Sequence, residues 1–278
     1  AGMIDVRAST PEERELDRYR TRLMVFQQFQ VDNGKVVVAG QKSTAPTYTY
    51  VNGQLKPVAS LRPGEIQRWR LANLQAGNFI RIPVPEGMKA WLISTDGNPT
   101  SRPIPLSSML IPPAGRRTIL VRAQSAGELT VQNIPWGSGF QAIPHQDLFT
   151  ARVAGTPVVG AKLPALQAVM PDLRGEPVHN SRTVQFSVGT PAPGSTAPNF
   201  VINGMNYDQW GKKNLALMKL NTVEEWTLTN TTDEYHPFHI HVQPFQVVSV
   251  NGQPVKGVEY RDTVPIPPMV NGVPGKVV

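Results

Sequence analysis

Residues 222–230 read TVEEWTLTN, and residues 65–73 read EIQRWRLAN. The two segments resemble one another and share a tryptophan. The match extends outward in both directions. YTYVNGQ (48–54) precedes the first copy and NFVINGM (199–205) the second; SSMLIPP (107–113) follows the first and DTVPIPP (262–268) the second. Matched pieces in one order, offset by roughly one domain length of ~150 residues, indicate a duplicated domain. Trp69 and Trp226 are expected at equivalent core positions. Asn52–Gly53 and Asn203–Gly204 are expected in turns, where both residue types tolerate positive φ.

The rest of the chain fits this frame. Its 278 residues hold 27 prolines and 23 glycines, enough breakers to favour short strands joined by turns. RLMVFQQFQV, DNG and KVVVAG form a strand, tight turn and returning strand, which predicts a hairpin. Thr10, Pro11 and Glu13 form a capping signature for a short helix over about 11–20, and PALQAVMP is a second short helical candidate. The fold expected is all-β: two Greek-key β-sandwich domains. Residues 1–160 make the first, with an N-terminal arm over about 1–20; 161–181 link; 182–278 make the second. After Pro113 the first copy runs on through AGRRTILVRAQSAGELTVQNIPW, whereas after Pro268 the second has MVNGVPGKVV. The second sandwich is therefore expected to be incomplete at its C-terminal side. Open strand edges there would favour a homo-oligomer.

Composition excludes several classes. With 40% hydrophobic and 17% charged residues the chain can bury a sizeable core. No apolar run reaches the ~18 residues of a membrane-spanning helix, and AGMIDVRAST carries no apolar stretch of a signal peptide. The chain has no cysteine, which removes disulfides, thiolate ligands and cysteine nucleophiles. The formal charge is +7, but the basic residues are scattered, with small pairs at Arg116–Arg117 and Lys212–Lys213, so no nucleic-acid partner is expected.

Chemistry concentrates in YHPFHIHVQPFQVVSVNG (235–252), which holds three of the five histidines. Read as one strand, it places His239 and His241 on one side and His236 on the other. Imidazole suits copper, zinc and iron, so this spacing feeds two ligands to one centre and one to another. Phe238 and Phe245 are candidate apolar walls that exclude water from a metal. Neither a G-x-S-x-G elbow nor H-E-x-x-H is present. His145 (IPHQDLF) and His179 (PVHNS) stand alone and read as structural.

HPFHIH is similar to the H-P-x-H-x-H motif of the multicopper oxidases, laccase-like enzymes built from cupredoxin β-sandwiches. YTYVNGQLKPVASLRPGEIQRWRLAN and STDGNP resemble the middle domain of bacterial three-domain members. FVINGMNYDQ, VEEWTLTN and YRDTVPIPP resemble the opening part of their last domain. The resemblance implies one-electron oxidation of phenols, aromatic amines or metal ions at a type 1 copper, coupled to reduction of O2 to water, in a periplasmic or secreted protein. By motif position, His236 would be a type 1 copper ligand, His239 a type 2 ligand and His241 a type 3 ligand. The family's paired His-x-His motifs of the first domain are missing, as is the Cys-containing run after DTVPIPP. The resemblance therefore covers a middle domain and the first part of a last one. A chain with so few copper ligands is expected to be inactive alone. Two rivals stand beside this reading. One is a copper-free cupredoxin-fold binding or structural protein. The other is a copper carrier, which predicts Met- or His-rich surface segments, whereas the eight methionines are dispersed. The two-domain laccases are a poor match, because residues 1–170 contain only His145.

Overall fold

The computed structural model describes residues 3, 14–37, 44–137, 145–165, 170–191, 194, 198–210 and 217–278. They form two compact units: residues up to 136 together with 145–165, and residue 137 together with 170–278.

The first unit contains β1 (Arg20–Asp32), β2 (Lys35–Val36), β3 (Thr47–Val51), β4 (Val58–Leu61), β5 (Ile66–Asn73), β6 (Ile80–Pro83), β7 (Met88–Thr95), β8 (Asn98–Leu106), β9 (Ser108–Ile111), β10 (Arg116–Ala123), β11 (Gly127–Asn133) and β12 (Gln146–Val153). One sheet runs β2-β1-β5-β10-β7-β8, with β3 also paired to β1, and a second runs β11-β12-β4. Between them lies a core that includes Phe26, Trp69, Leu71, Ile80, Ile119 and Phe149. The second unit contains β13 (Val178–Gly189), β14 (Asn199–Ile202), β15 (Val223–Asn230), β16 (His236–His239), β17 (Phe245–Gln246), β18 (Ser249–Val250), β19 (Gln253–Pro254), β20 (Tyr260–Arg261), β21 (Thr263–Ile266) and β22 (Gly275–Val277). Its sheet runs β14-β13-β15-β22-β18-β19, beside the pairs β16-β21 and β17-β20.

The duplication reaches down to single hydrogen bonds. β1 runs parallel to β5 with Arg22 opposite Trp69, and β13 runs parallel to β15 with Arg182 opposite Trp226. Arg22 Nε donates to Gln67 Oε1 at 2.9 Å and the Trp69 indole to the same oxygen at 3.2 Å. Arg182 Nε donates to Glu224 Oε2 at 2.7 Å and the Trp226 indole to it at 3.0 Å. Asn52 and Asn203 sit in turns with φ of 52° and 50°, each followed by a glycine near 75°. Such a pair satisfies the twist of a two-residue hairpin loop, and Asn33–Gly34 does the same in the expected DNG turn.

The cores differ. Trp69 is 2% exposed and meets Phe149 of β12 edge-on at 5.4 Å. Trp226 is half-buried and leans on Phe238 at 6.0 Å. β10 follows β5 from Ile66 to Ala72, whereas β22 pairs with β15 only at Leu228, Thr229 and Asn230.

Two expectations of local structure change. Of the helix expected over 11–20, residues 11–13 lie outside the described residues; the described part is a helical turn at Arg14 and Glu15 and a 3-10 turn, Leu16–Arg18. Tyr19 is already extended because its ring is buried with Ile66, Ile93 and Leu120 while its hydroxyl donates to the Lys162 carbonyl at 2.7 Å. Residues 166–169 of PALQAVMP lie outside the described residues. The sheet of the second unit reaches back to Val178, inside the expected linker, because VHNSR adds to β15 as a parallel strand.

Gly275 opens β22 beneath the Pro267 carbonyl, and a Cβ there would lie 1.8 Å from that oxygen. Gly275→Ala should displace β22 and cost the second unit about 2–4 kcal/mol in denaturant unfolding. Arg182, with the Trp226 indole, holds the Glu224 carboxyl at about 2. A depressed carboxylate stabilises the fold above its ordinary pKa, and that contribution fades as pH falls from about 4.5 toward 2. Glu224→Gln should therefore flatten the acid limb of melting temperature against pH, read by tryptophan fluorescence.

Candidate metal centre

The three clustered histidines lie where the second unit departs most from the first. β16 pairs with β21, placing His236 opposite Ile266, Phe238 opposite Val264 and His239 opposite Thr263. In the first unit, the two-stranded pair β6–β9 places Ile80, fully buried, opposite Ile111. His236 thus takes a position that the sister domain fills with core isoleucine. Its ring stacks on Phe186 at 5.7 Å and 21°, and meets Phe200 edge-on at 5.1 Å. Burial lowers its pKa against the opposing charge of Asp233, which favours the neutral imidazole that binds metals. Its Nε2 lies 2.8 Å from Thr232 Oγ1.

His239 is anchored through its other ring nitrogen. Nδ1 lies 2.8 Å from the Asp262 carbonyl oxygen and 3.0 Å from Thr263 Oγ1. The carbonyl can only accept, and the Thr263 hydroxyl gives its hydrogen to Asp262 Oδ1 at 2.8 Å. Nδ1 therefore carries the proton, and Nε2 is left with the lone pair that a cation would meet.

His241 approaches by a route the residue spacing does not describe. Strand pairing stops at His239 and resumes only at Phe245, so the single strand expected through 235–250 is broken. Val242 has φ 73°, and the Gln243 N–H donates to the His241 carbonyl at 2.9 Å. That is a γ-turn of the strained hand, on a β-branched residue that is 93% exposed. The His241 ring lies 4.9 Å from that of His239, at 63°. His239 and His241 are thus neighbours, and His236 sits apart among aromatic rings.

Phe238 and Phe245 touch at 5.9 Å, but they pack into the core with Trp226. The rings against His236 are Phe186 and Phe200, which the sequence reading missed because they lie on β13 and β14. Asp233 is exposed, and Glu234 is 6% exposed. His145 and His179 are exposed. Among the described residues, no group of three or more His, Asp or Glu side chains converges to hold a metal ion. The donor set therefore offers two neighbouring imidazoles and a third elsewhere, nitrogen chemistry suited to copper or zinc with too few ligands to close a cage.

A family model described as multicopper oxidase matches residues 177–273. Among curated proteins, a laccase of Bacillus subtilis is 24% identical over 80% of this chain and 44% of its own length. A cell division protein, FtsP, of Proteus mirabilis is 26% identical over 77% of this chain and 45% of its own. The chain spans about half the length of the curated relatives it matches. Among solved structures, a laccase from Pediococcus acidilactici superposes with a TM-score of 0.76 at 19% identity, covering 96% of this chain and 57% of that one. A multicopper oxidase from Campylobacter jejuni, described as a metallo-oxidase, gives 0.74 at 21% identity, covering 94% and 58%. Both units therefore carry the cupredoxin-like fold of the multicopper oxidases.

Val242→Gly removes the side chain from a backbone conformation that glycine adopts without strain. It should stabilise the second unit by about 1 kcal/mol, net of the added freedom of the unfolded chain, measured as a higher denaturant midpoint at unchanged slope.

Proposed function

From the premise that this chain is of the multicopper oxidase family, we propose that it forms part of a copper-dependent oxidoreductase. In this reading the first unit is a middle cupredoxin domain and the second a last one. His236 serves a type 1 copper, His239 a type 2 copper and His241 a type 3 copper. The substrates are a small reductant, such as a phenol, an aromatic amine or a metal ion, and O2, which is reduced to water. A location in the periplasm or outside the cell belongs to the same proposal.

The observation that carries it is the division of the histidines: two imidazoles 4.9 Å apart, and a third held among Phe186 and Phe200. One site asks for shared ligation, the other for a dry, apolar wall around a single ligand. Bound copper would supply one-electron redox chemistry. This chain's residues would keep His236 neutral by burial, present Nε2 of His239 by anchoring Nδ1, and exclude water from His236 with two phenyl rings.

By itself the chain is not a competent oxidase in this proposal. Three histidines leave most of the family's copper positions unligated, and without cysteine the blue-copper His2Cys site cannot form. A second reading, a copper-free binding or structural protein, has one observation behind it: a relative as similar as the laccases is named for cell division.

Copper loading followed by dialysis and metal analysis separates these readings. The expected result is weak Cu(II) binding, without intense blue absorption or turnover of phenols under air. His239→Ala with His241→Ala should weaken it by at least about tenfold. Tight retention of the family's full copper complement would overturn the inactivity. Cu(II) binding that ignores the double substitution would favour the copper-free reading.

A further inference from the structure

Thr232 is 6% exposed and stands between Asn230 and His236. Its hydroxyl oxygen lies 2.9 Å from Asn230 Oδ1, 3.2 Å from the Glu234 carbonyl oxygen and 2.8 Å from His236 Nε2. The Glu234 N–H donates to it at 3.3 Å. The orientation of the Asn230 amide is set by its surroundings. Nδ2 donates to the carbonyls of Glu234 and Pro267, and Oδ1 accepts the Thr232 N–H.

A threonine hydroxyl has one hydrogen to give. Asn230 Oδ1 and the Glu234 carbonyl can only accept. If the hydroxyl donated to His236, Oγ1 would face Asn230 Oδ1 at 2.9 Å and the Glu234 carbonyl at 3.2 Å with no hydrogen between either pair, two lone-pair repulsions; donation to Asn230 leaves only the longer contact without one. The hydrogen therefore goes to Asn230 Oδ1, and the hydroxyl oxygen accepts from Nε2–H of the ring. A neutral imidazole protonated at Nε2 carries its lone pair on Nδ1.

We propose that Thr232 is a positioning residue: it holds His236 as the Nε2–H tautomer, so that Nδ1 is the nitrogen this ring offers to a metal. The metal half of this statement rests on the ligand role of His236 proposed above; the tautomer half stands on hydrogen bonds alone. The sister domain shows the same clamp without the chemistry. There Asn73 Oδ1 accepts the Gln75 N–H, and its Nδ2 donates to the carbonyls of Asn78 and Ile111. Gln75 stands in the place of Thr232, and Ile80 in that of His236. The second unit has placed a hydroxyl and an imidazole together on a clamp that folding already requires. His236 and His239 are then fixed in opposite tautomers, Nε2–H for the first by the Thr232 hydroxyl and Nδ1–H for the second by the Asp262 carbonyl.

The test is 15N–1H NMR of the imidazoles in the metal-free, full 278-residue chain, with His236→Gln assigning the ring. The wild type should show a single Nε2–H tautomer at His236. Thr232→Val keeps the shape and removes the acceptor; it should shift the tautomer ratio at least about fivefold toward that of a free imidazole. Thr232→Ser should restore the wild-type pattern. Near-UV circular dichroism establishes that each variant is folded, and the serine variant carries the test should valine disrupt the clamp. An Nδ1–H or averaged ring in the wild type would overturn the proposal, as would a folded valine variant with an unchanged ratio. A Zn(II) titration then addresses the metal half. A shift at His236 Nδ1 supports it, and a shift at Nε2 refutes it. No response at His236 with the tautomer as stated counts against the ligand role and leaves the positioning in place.

Discussion

The candidate centre depends on one buried amide. Asn230 ends β15 with no solvent exposure, and its Nδ2 donates to the Glu234 and Pro267 carbonyls at 2.6 and 2.9 Å. Those carbonyls lie just before β16 and just after β21, the two strands that carry His236 and its partner Ile266. A buried amide with every group engaged ties three chain segments to one another, and removing it would leave two carbonyls unsatisfied. Without that tie the site's hairpin would have no fixed place on the sheet. Asn73 performs the same service in the first unit, which marks the clamp as a property of the domain that the second unit turns to another use.

The two units separate what folding requires from what chemistry adds. Parallel pairing of the first strand with the tryptophan strand, the Arg–acceptor–indole triad and the asparagine clamp occur in both. Only the second puts an imidazole in place of a core isoleucine and a hydroxyl in the clamp. The cores also differ: Trp69 is sealed against Phe149 of β12, whereas Trp226 is half-buried and β22 covers only the last residues of β15. The γ-turn at Val242 adds backbone strain beside His241. Polar, aromatic and strained features gather at one end of one domain, the distribution expected where a site has been built into a fold.

The duplication was legible because it is written in local signals. The shared tryptophans and the Asn-Gly pairs are recognisable within a few residues, and the structure places both Asn-Gly pairs in turns as read. The neighbouring placement of His239 and His241 was also anticipated, though for an incomplete reason. The alternation argument assumed a continuous strand, whereas strand pairing stops at His239 and a turn that a β-branched residue gives no hint of follows His241. The short helix lies partly outside the described residues; its described part is helical from Arg14 to Arg18 and ends where Tyr19 is buried with Ile66, Ile93 and Leu120, partners far along the chain.

Sequence by itself determined the fold class, the repeat and the identity of the metal-capable side chains, because strand period, turn chemistry and donor atoms are properties of residues and their near neighbours. Tertiary structure decided the rest. Phe186 and Phe200 reach His236 from β13 and β14, and Asp262 and Thr263 anchor His239 from the start of β21. These contacts join residues tens of positions apart, and only sheet registry brings them within hydrogen-bond range. Which nitrogen of His239 holds its proton is therefore set by the fold.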